Sequence, residues 1–368
     1  MNKILKFFKS QPVLLAAFFA AAVTLFFVPP DKAYLDYCNR TVLIQLFCLM
    51  TAVGGFRSIG VFERAAGLLL EKAGNLRRLG MIFTLICFFS SMLVTNDVAL
   101  ITFVPLTLLV YSGIKDERSR IITVVLETAA ANLGSMVTPF GNPQNLYIYD
   151  HYRLSIGEFF STMLPTAALS LVLLILLCMT IPRSPCRMEK KADIKFPKTS
   201  MSAFAILFAL CLLTVFRVVP DYVCLAAAII TALIFDRSLL LKIDYGLLGT
   251  FICFFVFVGN IARIEPISRV ISEAVTGREV ISAALISQVI SNVPAAVMLS
   301  GFTDKGRELL LGVNIGGLGT LIASLASLIS FQYYRKSEGS KTWRYMGIFT
   351  AVNFGMLLVL TAVALWQF

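Results

Sequence analysis

The chain has 368 residues, of which 58% are hydrophobic and only 14% are charged. Soluble domains average about 25% charged residues, so this composition excludes a water-exposed globular protein of this size. The net charge of +11 does not indicate a nucleic-acid partner, because basic residues of membrane proteins collect in cytoplasmic loops. We therefore predict an all-α polytopic membrane protein, since helices satisfy their own backbone groups in lipid.

Nine segments are apolar and long enough for a membrane-spanning helix. The first follows three lysines, as a secretory signal does. Its apolar part is longer than a signal core and no small-residue cleavage site follows, so we expect it to be retained. The predicted crossings are residues 12–29, 41–56, 120–149, 158–181, 201–217, 221–235, 245–260, 306–333 and 344–366.

Two of these crossings are unusually long and contain glycine, proline and asparagine near their middle. We predict interruptions at Thr138–Asn145 and at Asn314–Thr320. An interrupted helix frees backbone groups that lipid cannot satisfy, so it is typical of a segment that lines a cavity. The sequence therefore predicts a binding cavity at the two interruptions.

Two further apolar stretches fit re-entrant hairpins, which enter the membrane and return to the same side. Residues 79–112 are too long for one crossing and short for two, and their polar centre is at 95–97. Residues 280–302, with a polar centre at 291–292, fit either a second hairpin or one kinked crossing.

The distribution of positive charge decides between these alternatives for the second stretch. With nine crossings, two hairpins and the N-terminus inside, most of the 32 Lys and Arg residues are cytoplasmic. A single crossing at 280–302 would move the four basic residues of 335–344 outside. We therefore expect a second hairpin and a C-terminus outside the cell.

Two charged amphipathic stretches, residues 60–72 and 264–274, precede the hairpins and are typical of helices on the membrane surface. The chain then divides into scaffold helices, transport regions and one cytoplasmic linker. The predicted regions are scaffold 1–78, first hairpin and broken helix 79–181, basic linker 182–200, linking and scaffold helices 201–278, and second hairpin and broken helix 279–368.

The two halves of the chain carry the same motifs in the same order. Residues 47–54 (FCLMTAVG) parallel 252–259 (ICFFVFVG), and an amphipathic stretch and a hairpin follow each. The pattern Asn-x-Gly-x-x-x-Thr begins at Asn132 and recurs at Asn314. Five crossings precede the second unit, so we predict two inverted repeats, with substrate and ions bound between them.

Four stretches carry a family resemblance: TNDVALITFVPL, ANLGSMVTPFGNPQN, SNVPAAVML and VNIGGLGT. From about residue 41 to 332 the chain resembles the ion transporter superfamily, which includes arsenite permeases, citrate transporters, divalent anion/sodium symporters and one branch of sodium/proton antiporters. The resemblance implies a scaffold half, a mobile transport half with elevator-like movement, and a homodimer. The tip at 95–97 looks like the arsenite permease and antiporter branches, whereas 141–145 is closer to the dicarboxylate symporters.

The hairpin tips and the helix interruptions form the candidate binding site. Carbonyl, Asn and Thr oxygens suit sodium, whereas N–H groups and positive helix ends suit small anions. The alternative for each Asn, Ser or Thr is a helix cap, and for Gly312 and Gly316 it is a helix-packing motif. The predicted substrate- or ion-binding residues are Thr95, Asn96, Asp97, Asn132, Gly134, Thr138, Gly141, Asn142, Asn145, Ser291, Asn292, Asn314, Gly316 and Thr320, with possible sodium ligation by Asn96, Asp97, Gly141 and Asn292.

Asp97 favours ion coupling more than any other residue, since intramembrane acids usually mark ion or proton pathways. The alternative is an Asp that caps a hairpin arm starting at Val98. Glu127 raises the same question, but Arg118 and Arg120 place it only two turns inside its helix. Because no Lys or Arg is expected within the membrane core, a bound anion would depend on dipoles, amides and a co-bound cation.

Other function classes find little support in the sequence. His151, the only histidine, falls in a predicted outside loop, and no Walker A, GxSxG or HExxH motif is present. We expect a non-enzymatic transporter of the bacterial inner (plasma) membrane, without a cofactor, that uses Na⁺ or H⁺ as its coupling ion. The first hypothesis is secondary active transport of a small anionic or neutral oxyanion substrate. The second is a sodium/proton antiporter using Asp97; a passive channel and an intramembrane enzyme are weaker alternatives.

Overall fold

The computed structural model describes residues 12–64, 73–114, 116–186 and 197–368. These residues form eighteen helices and no strand, apart from one isolated antiparallel bridge between Asn75 and Pro185. Most of the predicted surface helix at 60–72 and most of the basic linker at 182–200 lie outside the described residues. The prediction of an all-α protein is confirmed for the described chain.

Eight helices belong to the first half of the chain and ten to the second. In the first half they are α1 (Pro12–Leu25), α2 (Tyr34–Tyr37), α3 (Arg40–Ser58), α4 (Leu76–Ser91), α5 (Asn96–Ser112), α6 (Glu117–Ser135), α7 (Pro143–His151) and α8 (Ile156–Cys178). In the second half they are α9 (Lys198–Val215), α10 (Asp221–Phe235), α11 (Ser238–Lys242), α12 (Tyr245–Ala262), α13 (Glu265–Val275), α14 (Glu279–Ile290), α15 (Asn292–Ser300), α16 (Gly306–Ile315), α17 (Leu325–Lys336) and α18 (Thr342–Gln367).

Five of the described helices are long and apolar enough to cross a membrane by themselves: α3, α8, α9, α12 and α18. Shorter apolar helices are α1, α5, α10 and α14. Large apolar side chains remain exposed on the long helices, for example Leu164 on α8, Ile206 on α9 and Leu358 on α18. Such surfaces require an apolar solvent, so they fit contact with lipid.

The two long predicted crossings are each divided into two helices, but the breaks lie at shifted positions. The first break covers residues 136–142, because the Asn142 side chain caps α7 and accepts a hydrogen bond from Asn145 N. Proline at the first helical position, Pro143, needs no N–H partner there. The second break covers residues 316–324, because Asn314 stays helical and donates to the Leu310 carbonyl at 2.7 Å.

The two predicted hairpin segments are pairs of helices joined by very short connections. Residues 92–95 connect α4 to α5, which pack against each other. Ser291 alone connects α14 to α15, and its φ of 77° lies in the left-handed region that non-glycine residues rarely adopt. The amphipathic helix expected at 264–274 is observed as α13, where only Val275 is buried.

The helices pack in two groups. A six-helix group contains α1, α3 and α9 to α12, with the short α2 and α13 packed on α12. A ten-helix group contains α4 to α8 and α14 to α18. At its centre lies α6, which is buried from Ser119 to Ser135 because its small residues, such as Ala129 to Ala131, allow α4, α5, α8, α17 and α18 to approach from all sides.

Candidate functional site

The two helix breaks lie against each other and exchange side-chain hydrogen bonds. Asn142, in the first break, donates from Nδ2 to Asn314 Oδ1 at 3.0 Å. Asn314, at the end of α16, donates from its own Nδ2 to Asn145 Oδ1 at 2.6 Å. All three side chains are buried, so these bonds form away from water.

The reciprocal contact joins the second break to α6. Ser324 Oγ donates to Asn132 Oδ1 at 3.0 Å, and Asn132 Nδ2 lies 3.5 Å from Ser327 Oγ. Asn142 and Asn145 follow Thr138 by four and seven residues; Ser324 and Ser327 follow Thr320 by the same intervals. Each asparagine that opens the repeated motif is therefore held by the segment that follows the other motif.

The motif threonines contact the hairpins in matching ways. Thr138 Oγ1 donates to the Met92 carbonyl at 2.6 Å, and Thr320 Oγ1 donates to the Gln288 carbonyl at 2.9 Å. Met92 and Gln288 each lie four residues before the asparagine at the start of the second hairpin helix. These bonds fix each broken helix to the end of the neighbouring hairpin arm.

The motif glycines permit close helix packing at matching positions. A methyl group on Gly134 would overlap the Phe88 carbonyl oxygen of α4. On Gly316 it would lie 2.8 Å from Ser287 Oγ and 2.9 Å from Ala284 Cα of α14. Both glycines are therefore helix-packing residues in the structure.

The two hairpin tips contact their broken helices through different groups. Asn96 Nδ2 donates to Asn132 Oδ1 at 2.9 Å, so the first tip uses a side chain. Asn292 donates from its backbone N–H to the Ala323 carbonyl at 2.9 Å, and Ser291 Oγ lies 3.4 Å from the same oxygen. The second tip thus contacts its break mainly through the backbone.

Two side-chain amides satisfy the carbonyl groups that the breaks leave free. Asn145 Nδ2 donates to the carbonyls of Met136 at 3.1 Å and Thr138 at 2.9 Å. Gln288 Nε2 donates to those of Gly316 at 2.9 Å and Leu318 at 3.0 Å. Sequence reasoning did not select Gln288, although it is the only side-chain amide of α14 and could have been found for that reason.

A cavity of about 500 Å³ lies at the boundary between the two helix groups. Its wall includes Thr95 and Asp97 of the first tip, and Asn142 and Pro143 at the start of α7. The N-terminal ends of α5 and α7 therefore meet at the same space. Four further charged residues, which sequence reasoning did not select, also line it: Arg57, Glu63, Lys242 and Asp244.

Two basic side chains line the cavity. Arg57 lies in the last turn of α3 and Lys242 ends α11, and both residues are exposed. The sequence predicted cytoplasmic loops for both, and their distance from the tip along the chain hid the contact. The cavity wall therefore carries positively charged side chains as well as two helix starts.

The Asp97 side chain does not cap its helix. The arm begins at Asn96 rather than at Val98, and its N-cap residue Thr95 makes no side-chain cap bond. The half-buried Asp97 carboxylate forms no hydrogen bond with the described part of the chain and faces the cavity. The capping alternative is therefore wrong for Asp97, whereas it is confirmed for Asn142.

The predicted sodium ligands make different contacts. Asp97 lines the cavity, while Asn96 Oδ1 accepts from Asp97 N at 3.0 Å and Asn292 Oδ1 accepts from Val293 N at 2.9 Å. A methyl group on Gly141 would overlap the Ser135 carbonyl oxygen. Within the described residues, no three His, Cys, Asp or Glu side chains gather in a metal-binding cluster.

The fold is that of a helical membrane protein, and comparison with known sequences identifies its family as one of transporters. The model of the family described as "Citrate transporter" matches residues 5–303, so the chain belongs to the citrate transporter family. The resemblance to the wider ion transporter superfamily is thereby confirmed.

Two relatives are similar over most of their length, and a third is similar over part of its length. The uncharacterized transporter MJ0456 of Methanocaldococcus jannaschii is 34% identical over 327 residues, which are 88% of each chain. The inner membrane protein YbiR of Escherichia coli is 29% identical over 324 residues, 86% of each chain. The rice silicon efflux transporter LSI3 is 29% identical over 154 residues, which are 41% of this chain and 31% of that protein.

A solved structure shares the fold. The crystal structure of the Alcanivorax borkumensis YdaH transporter, described as having an unusual topology, superposes with a TM-score of 0.59 and covers 96% of both chains. The sequence identity is 13%, so this likeness concerns the fold alone.

Proposed function

We propose that this chain is a secondary active transporter of a small anion or oxyanion, coupled to a sodium or proton gradient. The main support for the proposal is the cavity where α5 and α7 begin. Both helix starts offer N–H groups and the positive end of a helix dipole, and Arg57 and Lys242 add positive charge. The volume of about 500 Å³ is within the range of small-molecule sites, roughly 300–1,000 Å³.

The charges of the cavity support coupling to a cation. Two basic side chains are accompanied by three acidic ones, Glu63, Asp97 and Asp244. Asp244 caps α12 by accepting from Leu247 N at 2.9 Å, whereas the Asp97 carboxylate has no such partner. An anion that enters this space is repelled by Asp97 unless a cation or proton neutralises the carboxylate first.

The architecture supports an elevator-type movement. The matched contacts of the two motifs favour an internal repeat, with α4–α5 and α14–α15 as the re-entrant hairpins. A cavity between the six-helix and ten-helix groups would open to either side if one group moved against the other. We further propose inverted repeats, a cytoplasmic N-terminus, a C-terminus outside, and a homodimer in a bacterial inner membrane.

The relatives support oxygen-rich cargo. The family description refers to citrate, a carboxylate, and the name of the rice relative refers to silicon. Small carboxylates and oxyacids share several hydrogen-bonding oxygens, which suit helix N-termini and Arg or Lys side chains. We propose that the cargo belongs to this chemical class.

Uptake by proteoliposomes tests the proposal. The purified chain is reconstituted, and labelled citrate, succinate, phosphate, sulfate, arsenite and silicic acid are offered under imposed sodium or proton gradients. We expect gradient-driven uptake of at least one of them, and slower uptake by the double variant Arg57→Ala/Lys242→Ala. Sodium/proton exchange that needs none of these solutes would contradict the proposal.

A sodium/proton antiporter is the second candidate, and the Asp97 carboxylate favours it, because it has no hydrogen-bond partner among the described residues. In Asp97→Asn, similar shape is kept and the charge is removed, so we expect normal folding and loss of ion-driven transport under either function. The companion change Asn292→Asp should not restore transport, because the second tip uses its backbone. Full gradient-driven transport by Asp97→Asn, with an unchanged pH profile, would exclude Asp97 from coupling.

A further inference from the structure

A second carboxyl group, Glu127, lies inside the ten-helix group and away from the cavity. It occupies the middle of α6 and is 0% exposed. Its Oε1 accepts a hydrogen bond from Thr107 Oγ1 of α5 at 2.6 Å, and the Cys87 thiol of α4 points to the same oxygen at 3.8 Å. Its Oε2 is buried and has no hydrogen-bond partner.

No described basic side chain is within salt-bridge distance of Glu127. The nearest arginine along α6, Arg120, is two turns away and pairs with Glu117 at 2.7 Å. Arg120 also donates to the Glu338 carbonyl at 3.0 Å. Arg307 of the neighbouring α16 donates instead to Thr162 Oγ1 at 2.9 Å.

The titratable groups around Glu127 are neutral thiols and phenols. From α5 comes Tyr111, bonded to Thr123 Oγ1 at 2.9 Å, and from α8 comes Cys178, which donates to Thr84 Oγ1 at 3.6 Å. From α18 comes the buried Tyr345, which lies within electrostatic reach of Glu127 and beside Thr128. The remaining groups are Cys87 of α4 and, on α17, Tyr334, which bonds to Glu117.

These neighbours determine whether the charged or the protonated form of the Glu127 carboxyl group is more stable. A buried carboxylate without a cation loses its hydration and gains little from one hydroxyl donor, so neutralisation is strongly favoured. Oε2 is the free oxygen of the carboxyl group, and the described residues contain no group of three His, Cys, Asp or Glu side chains that could hold a metal ion here. A single proton on Oε2 meets this requirement.

We propose that Glu127 is a proton-binding site that couples transport to a proton gradient. The proposal rests on the proposed transport function and names the proton as a coupling ion. The carboxylate takes up one proton when it has access to water on one side, and releases the same proton when movement of the ten-helix group against the six-helix group gives it access to water on the other side.

The position of Glu127 supports coupling over a purely structural role. It precedes Asn132 by five residues, which is about 7.5 Å along the helix axis. Thr107 belongs to the helix that starts at the first tip, so the Thr107–Glu127 bond joins that hairpin arm to the broken helix. In the second unit, Leu309 precedes Asn314 by the same five residues, so the packing does not require an acid there.

Infrared difference spectroscopy of the full-length purified protein tests the proton site without any substrate. We expect a carboxylic acid carbonyl band at neutral pH that disappears in Glu127→Gln and remains in Glu158→Gln, a change at an exposed acid of α8. Thr107→Val should shift this band, because it removes the hydroxyl that donates to Oε1. If neither Glu127→Gln nor Thr107→Val changes the band, the proposal is wrong.

Proteoliposomes that are offered labelled citrate or silicic acid from outside test the coupling. We expect an inward proton gradient to accelerate uptake by the parent protein at least several-fold and to have no effect on Glu127→Gln. An equal acceleration in Glu127→Gln would overturn the coupling role. If the parent protein carries no anion or oxyacid, the proposed function fails, while the infrared band still decides whether Glu127 binds a proton.

Discussion

The first hairpin and its broken helix are built like the second pair but carry different chemistry. The glycine and threonine of each motif contact the neighbouring hairpin at matching positions, and each motif asparagine is held by the opposite break. Only the first unit, however, has carboxyl groups at two matched positions of the tip and the broken helix: Asp97 and Glu127 correspond to Val293 and Leu309.

This difference separates packing from ion chemistry. Packing must be equivalent in both units, because each break leaves the same free backbone groups within the bundle. Charge is needed only where an ion binds, and buried charge is costly elsewhere. Under the proposed function, ion coupling therefore belongs to the first unit, and matched variants of the two units can test this comparison.

The largest effect on stability is expected from the motif glycines. Gly134→Ala places a methyl group onto the Phe88 carbonyl oxygen, which is backbone and cannot rotate away. In Gly316→Ala, one close neighbour is the rotatable Ser287 hydroxyl, although Ala284 Cα is fixed. Overpacking typically costs about 1–3 kcal/mol, and we expect Gly134→Ala to reach or exceed the upper end.

The measurement is the thermal unfolding midpoint of the detergent-purified variants, with Gly355→Ala as the control. No heavy atom lies within 4 Å of a methyl group built on Gly355. An unchanged midpoint for Gly134→Ala would contradict the close packing of α4 on α6.

An intermediate effect is expected from the amides that satisfy the breaks. Gln288→Met keeps the length of the side chain but leaves the carbonyls of Gly316 and Leu318 without their donor. Leaving a buried polar group unsatisfied costs about 1–3 kcal/mol. Asn145→Leu should cost a similar amount, because it removes the donor to Met136 and Thr138.

Unfolding midpoints of both variants provide the comparison, and the double variant should be close to additive since the two amides serve different breaks. A large loss for one amide and none for the other would show that the two breaks are not equivalent in packing.

The smallest effect is expected from the motif threonines. Thr138→Val removes one hydrogen bond to Met92, worth about 0.5–1.5 kcal/mol. Thr320→Val should cost more, because Thr320 Oγ1 also accepts from Ala323 N at 3.2 Å. The serine variants keep the hydroxyl group and serve as matched controls. A greater loss for Thr138→Val than for Thr320→Val would reverse the expected order.

The hairpins and the divided helices could be predicted because local sequence controls them. Proline lacks a backbone N–H, and glycine and asparagine form helices less well than the apolar residues around them, so their clusters predicted the interruptions at residues 138–145 and 314–320. The boundaries shifted because caps decide where a helix restarts, and the Asn142 cap and the helical Asn314 depend on side-chain bonds that sequence spacing does not reveal.

By itself, the sequence determined the all-helical class, the family and most of the residues at the two breaks. Only the tertiary structure decided which charges share the cavity, because Arg57, Lys242 and Asp97 are far apart along the chain and meet where the two helix groups touch. The tertiary structure also decided that the Glu127 side chain is fully buried between helices. Burial and counter-charges depend on the helices that surround a residue, and no local pattern encodes those neighbours.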